Sequence, residues 1–298
     1  MRQDPARRDD AEHWVKLGFS ALQGQGQARN FARAREYFGN AAELGHSRAR
    51  EIHLSMVASG FGGVPNFKQG VRLLERLGDS FARRQLALLH AMRIDARGNP
   101  IAAAERSEIS ATPEISFFPA FLSSEECRYL IEAASPAFAR APVQHLAGGS
   151  RTMVHPVRTC DVAVFPWVAE TPVIHALNRR IANAANVPVE CGEPLQVLRY
   201  RTGQEFQPHQ DCTDDRSNQR VLTMLIYLSE DYSGGETFFP RPGLKVRGRV
   251  GDAVLFRNAA LDGTPDPNAL HAGLPVLSGE KFIASRWIRK RAFGPREY

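Results

Sequence analysis

From about Ala11 to Met92, apolar residues recur at helical spacing among Ala, Leu, Arg and Glu, as in Ala34, Tyr37, Phe38, Ala41 and Ala42. This pattern predicts an all-α region over residues 11–95, preceded by a flexible tail at 1–10. The region also repeats itself. Asn30-Phe31 recurs as Asn66-Phe67 thirty-six positions later, and Leu44-Gly45 with Ala49 recurs as Leu77-Gly78 with Ala82. A period in the mid-thirties marks stacked helix pairs. Residues 96–112 lose the repeat and read as a linker or a last helix, with a domain boundary near Pro113.

Beyond Pro113 the pattern changes. Ile115–Leu122 reads as a strand, and Ser123 followed by acidic residues is a helix N-cap signal for a helix running to about Ala134. A second helix is expected over Thr171–Ala185, with Ile174, Leu177 and Ile181 on its inner face. From Leu195 onward, short β-rich runs alternate with Gly, Pro and Asp: Leu195–Tyr200, Val221–Leu228, Glu236–Phe239, Leu244–Val246, Ala253–Phe256 and Phe282–Trp287. Such runs predict an all-β sandwich or barrel with the preceding helices on its outside. The fold class is therefore α+β.

Composition narrows the function classes. With 298 residues, 43% apolar and 23% charged, the chain is an ordinary globular one with room for two modest domains. The formal charge of +6 is spread along the chain and forms no basic stripe, which argues against nucleic-acid binding. There is no apolar run long enough to span a membrane and no signal-peptide core after Met1–Asp10. Cys127, Cys160, Cys191 and Cys212 show no CxxC spacing, which fits a reducing, cytoplasmic compartment.

In Gln207-Pro208-His209-Gln210-Asp211 a histidine and a carboxylate stand two apart on an extended segment, so both side chains point the same way. His271 is the best third ligand. Two imidazoles and a carboxylate on one face of an ion leave three positions open, the arrangement of non-haem iron(II) oxygenases. The pair alone is a weak signal; His155 and His175 lack such company and read as structural residues.

Context strengthens it. The runs Leu195–Tyr200, Gly203–Phe206, Pro208–Asp211, Arg220–Leu228, Gly234–Thr237, Gly251–Phe256, Leu270–Gly273, Gly279–Lys281 and Arg286–Ile288 resemble the iron(II)- and 2-oxoglutarate-dependent dioxygenases of the prolyl-4-hydroxylase type. The resemblance implies a dioxygenase domain over 113–298, with a double-stranded β-helix (jelly-roll) core at about 195–291. It implies Fe(II) on His209, Asp211 and His271, with 2-oxoglutarate and O2 as co-substrates and ascorbate as reductant. It assigns the distal carboxylate of 2-oxoglutarate to Lys281, Tyr200 and Thr237, and the substrate side of the pocket to Trp287, Phe206 and Arg220. Strand alternation independently puts Lys281, Ile283, Ser285 and Trp287 on one face. Two departures stand out. Phe206 occupies a position where many members carry a tyrosine, and Cys212–Gln219, expected to form part of a lid, is short and polar. The N-terminal repeats resemble the Sel-like subclass of tetratricopeptide-type repeats, which elsewhere bind proteins; a cap packed on the enzyme domain is the other reading.

The expected reaction is hydroxylation of an unactivated C–H, first of a prolyl residue in a peptide or protein, with release of succinate and CO2. A free amino acid or small metabolite is the rival substrate class. The rival from another class is a non-catalytic metal-binding scaffold acting through its repeats. A zinc hydrolase is a further use of two His and one Asp, for which no placed general base is evident.

Overall fold

The structure, a computed structural model, describes residues 5–26, 28–140, 143–144, 152–153 and 158–294. The chain divides into two compact units. One comprises the chain up to Ala102 with Phe165–Asn183 and the last residues from Gly294; the other comprises Ala103–Val164 and Ala184–Phe293.

The first unit is helical: α1 (Pro5–Gln23), α2 (Phe31–Glu43), α3 (Ser47–Ser59), α4 (Phe67–Leu77) and α5 (Ser80–Ala91). The repeat in the sequence is a repeat in the caps. Asn30 and Asn66 are the N-caps of α2 and α4, accepting from the backbone N–H of Arg33 and Gln69, each at 2.9 Å. An N-cap side chain satisfies a backbone donor that the helix itself leaves unpaired, worth about 1 kcal/mol. The phenylalanine that follows each cap, Phe31 or Phe67, is buried, as are Ala49 in α3 and Ala82 in α5. Phe38 is fully buried among Phe19, Ala34 and Met56; a Phe→Ala change at such a position costs about 3–5 kcal/mol. Part of the stretch expected as a flexible tail at 1–10 is helical. Pro5–Asp10 already belong to α1, since proline pre-sets φ for a first helical turn.

Two further helices follow: α6 (Ser124–Ala134) and α7 (Pro172–Ala184). Ser123 and Glu126 close a capping box on α6. The helix α7, expected outside the barrel, is grouped with the helical unit, where Arg179 donates to Asn99 at 2.8 Å and His175 lies against Phe67.

The second unit holds the strands β1 (Ser107–Ala111), β2 (Glu114–Phe118), β3 (Ala139–Arg140), β4 (Val143–Gln144), β5 (Thr152–Met153), β6 (Asp161–Val164), β7 (Gln196–Arg201), β8 (Phe206–His209), β9 (Arg220–Tyr227), β10 (Tyr232–Gly234), β11 (Thr237–Phe239), β12 (Leu244–Val246), β13 (Ala253–Arg257), β14 (His271–Gly273) and β15 (Val276–Arg289). The large sheet runs β1-β2-β13-β9-β15-β7-β6-β3, and a four-stranded sheet runs β12-β11-β14-β8. This is the two-sheet jelly-roll, and with the helical unit it makes the chain α+β. Residues 96–112 contain a strand, β1, where a linker or last helix was expected; β1 pairs with β2 across the turn at Thr112-Pro113. Between the two sheets lie Leu198, Tyr227, Phe239, Val254, Phe256 and Ile283, all buried. Their burial, each worth roughly 1.5–3 kcal/mol, fixes the register that aims β8, β14 and β15 into one cavity.

Candidate active site

His209 ends β8 and His271 begins β14, and the two residues are direct partners in the antiparallel register. Their ring centroids lie 4.2 Å apart. Asp211 lies just beyond β8, buried, where the chain has left the sheet. The Nε2 atom of His209 is 3.6 Å from Asp211 Oδ1, and that of His271 is 3.7 Å from Asp211 Oδ2. All three ligand atoms fall within 4.8 Å of one another.

Both imidazoles are oriented alike. Nδ1 of His209 meets the carbonyl oxygen of Gln207 at 2.8 Å, and Nδ1 of His271 meets that of Ala269 at 3.0 Å. A carbonyl only accepts, so Nδ1 carries the proton and Nε2 presents its lone pair to the cavity. Burial, reinforced by His271, pushes His209 down to about 3, which keeps its imidazole neutral at physiological pH. Desolvation opposes ionisation of Asp211, yet its carboxyl is held below the usual range, with the Thr223 hydroxyl and the Arg220 guanidinium among the groups that favour its charge. The donor set fits a divalent ion. Neighbouring ligands of a six-coordinate ion sit about 3 Å apart, a short closure from the distances here, and a facial two-His, one-carboxylate set suits Fe(II).

The cavity continues away from these three residues. It is lined by Tyr200, Thr237, Lys281, Ile283, Ser285 and Trp287, with Phe206 and Arg158 at the histidine side. The four residues placed on one face by strand alternation, Lys281, Ile283, Ser285 and Trp287, all line it. Lys281 is 3% exposed, donates to the Gly235 carbonyl oxygen at 2.7 Å, and meets no carboxylate at ion-pair distance among the described residues. Gly235 has φ of 68°, and a Cβ there would press on Lys281 Cδ at 3.3 Å, so glycine both makes the turn and leaves room for the ammonium. Burial pulls the Lys281 ammonium down to about 8. Its Nζ lies 5.2 Å from the Tyr200 ring and 5.9 Å from the Tyr227 ring. Tyr200 is buried, and desolvation first, then Cys160, raises its hydroxyl well above the ordinary value. It is therefore a proton-bearing donor. Thr237 is reached by the Tyr227 hydroxyl at 3.0 Å.

The chain is similar over this region to known proteins. The 2OG-Fe(II) oxygenase superfamily model matches residues 195–289. Prolyl 4-hydroxylase 1 of Arabidopsis thaliana is 40% identical over 203 residues, covering 62% of this chain and 71% of that protein. The chain belongs to the prolyl 4-hydroxylase family. Probable prolyl 4-hydroxylase 10 of the same plant is 37% identical over 205 residues, covering 61% of this chain and 70% of its own length. Among solved structures, the viral collagen prolyl hydroxylase of Paramecium Bursaria Chlorella virus-1 in its 2OG complex is 31% identical, with a TM-score of 0.46 over 59% of this chain and 95% of that one. As a member of the prolyl 4-hydroxylase family, the chain is a 2-oxoglutarate-dependent dioxygenase, and the family uses Fe(II), 2-oxoglutarate and O2, with ascorbate as reductant.

Within this prolyl 4-hydroxylase fold, Phe206 stacks on His209 at 3.4 Å between ring centroids. Arg220 does not line the cavity. Its guanidinium is held by Glu193 at 2.6 and 2.9 Å and lies 3.6 Å above the Trp287 ring, so it backs the pocket wall. The Cys212–Gln219 segment is pinned. Gln219 bonds the backbone of Thr213 in both directions, each at 2.7 Å, and Arg289 and Arg291 donate to Asn218 and Ser217 carbonyls at 2.8 Å. His155 lies outside the described residues, and His175 is buried against Glu170 at 2.5 Å.

Sequence reasoning missed Arg158, Thr223, Tyr227 and Asn258. For Thr223 the signal was present, as a hydroxyl in the apolar run of β9. Arg158 sits in a stretch without periodicity and offered none.

Proposed function

We propose that the chain hydroxylates prolyl residues of a peptide or protein at the cavity formed by β7, β8, β11, β14 and β15. The observation that carries the reading is Lys281, a buried ammonium that meets no carboxylate at ion-pair distance among the described residues, in the cavity that holds the His209, Asp211 and His271 side chains. A buried cation is costly unless an anion joins it, and the distal carboxylate of 2-oxoglutarate is an anion of the right kind.

In this reading His209 and His271 hold Fe(II) through Nε2, and Asp211 through a carboxylate oxygen. Lys281 pairs with the distal carboxylate, Tyr200 donates its hydroxyl proton to it, and Thr237 does the same when Tyr227 donates to Thr237. When bound, iron and 2-oxoglutarate supply the oxygen activation: one atom of O2 enters succinate as CO2 leaves, and the other becomes the hydroxyl on the substrate carbon. The chain positions the target C–H and keeps water from the reacting atoms. Phe206, stacked on His209, and Trp287, stacked on Arg220, form apolar walls suited to a pyrrolidine ring. No side chain need act as acid or base.

The substrate class rests on the relatives, which are named prolyl 4-hydroxylases. The oxygenase domain is assigned to 113–298, and the helical repeats at 11–95 are assigned a protein-binding role, supported by the extended surfaces that stacked helix pairs offer. Four free cysteines support a reducing compartment, the cytoplasm. Among the described residues, no helix is long and apolar enough to cross a membrane. A screen with Fe(II), 2-oxoglutarate and ascorbate, offering proline-rich peptides beside free amino acids and read by mass, tests the reading. Addition of one oxygen atom to the peptides supports it; addition to a free amino acid alone overturns the substrate class.

A further inference from the structure

Asp211 is not held by the metal-facing residues alone. Thr223, fully buried in β9, lies with its hydroxyl 2.6 Å from Asp211 Oδ2, and Asn258 Nδ2 lies 2.8 Å from that same hydroxyl oxygen. The directions of these bonds follow from what each group can give. The carboxylate only accepts, so the single Thr223 proton goes to Asp211. The Thr223 oxygen is then free to accept from the amide of Asn258. Turning that amide over would set its oxygen against a hydroxyl whose only proton is already committed, so the orientation is fixed by the partner.

Asn258 is itself immobilised. It is 1% exposed; its backbone N–H donates to Val221 at 2.9 Å, and its carbonyl accepts from Asp266 N–H at 2.8 Å and from the Cys212 thiol at 3.3 Å. Asn258 just after β13, Thr223 in β9 and Asp211 just after β8 thus form a relay whose every member is buried.

We propose that Thr223 and Asn258 are positioning residues that engage Asp211 Oδ2, so that the carboxylate offers the metal Oδ1 alone. This rests on the metal reading above. A carboxylate gripping the ion with both oxygens would occupy one of the three positions needed by 2-oxoglutarate and O2; a short charge-assisted bond to one oxygen opposes that.

The test uses Co(II) as a spectroscopic stand-in, titrated without co-substrate into the full chain and its Thr223→Val, Thr223→Ser and Asn258→Ala variants. Thr223→Val keeps the shape but loses the hydroxyl; it is expected to bind Co(II) roughly 10–100-fold more weakly, with an altered visible spectrum. Thr223→Ser, which keeps the hydroxyl, restores the wild-type affinity and spectrum. A purely packing role would not separate Ser from Val in this way. Wild-type affinity and spectrum in Thr223→Val overturn the proposal. Should that variant not fold, Asn258→Ala decides: weaker Co(II) binding supports the relay, and unchanged binding overturns it. If the wild type takes up no Co(II), the metal reading itself fails and the relay falls with it.

Discussion

His209 and His271 are register partners across the β8–β14 pair, and each donates Nδ1–H to the carbonyl two residues before it. The shared bond makes their Nε2 atoms converge without help from the metal. The site is pre-organised by the small sheet.

Lys281→Ala removes the buried ammonium beside Tyr200 and Thr237 in the cavity. Truncating one partner of a buried charge pair costs about 2–5 kcal/mol, so the KM for 2-oxoglutarate is expected to rise at least about thirtyfold. Metal binding measured without co-substrate should be unchanged. Initial rates against 2-oxoglutarate concentration, together with a metal titration, check both.

The same lysine gives a pH dependence. Burial lowers Lys281 to about 8 in the free protein, and a bound carboxylate raises it again, so binding takes up a proton above that pH. Affinity for 2-oxoglutarate is expected to be flat below about pH 7 and to fall roughly tenfold between pH 7 and pH 9. Titrations across that range read it, and Lys281→Ala should flatten the profile.

Glu193 carries two arginines, with Arg220 Nε and Arg289 Nε each 2.6 Å from Oε1. Replacing a buried carboxylate so paired strands both guanidinium groups and costs about 3–5 kcal/mol. Glu193→Ala is expected to lower the melting temperature by roughly 10 °C, as calorimetry would show. Because Arg220 supports the Trp287 ring, the folded fraction should also show a raised KM for the peptide.

Local spacing in the sequence picked out the candidate ligands that the structure brings together. His209, the last residue of β8, and Asp211 stand two apart, and Lys281 shares a strand face with Trp287. The helix pairs were legible for the same reason, since Asn30 and Asn66 cap their helices through contacts three residues long. What escaped depends on contacts between distant segments. Thr223 meets Asp211 from twelve residues away, and Asn258 meets Thr223 from thirty-five. Arg220 was expected at the pocket from its motif, but its direction is set by Glu193, twenty-seven residues upstream. The strand β1 was hidden because its residues are mostly exposed and show no alternation.

Oxygen uptake, succinate and peptide hydroxylation, measured together on the wild type and His209→Ala, decide whether this cavity couples 2-oxoglutarate decarboxylation to hydroxylation. The wild type is predicted to consume O2 and form succinate in equal amounts, only with Fe(II) and 2-oxoglutarate present, and to add one oxygen atom to a proline in the peptide; His209→Ala should do none of these. Substantial succinate formation by His209→Ala would show that His209 does not hold the iron.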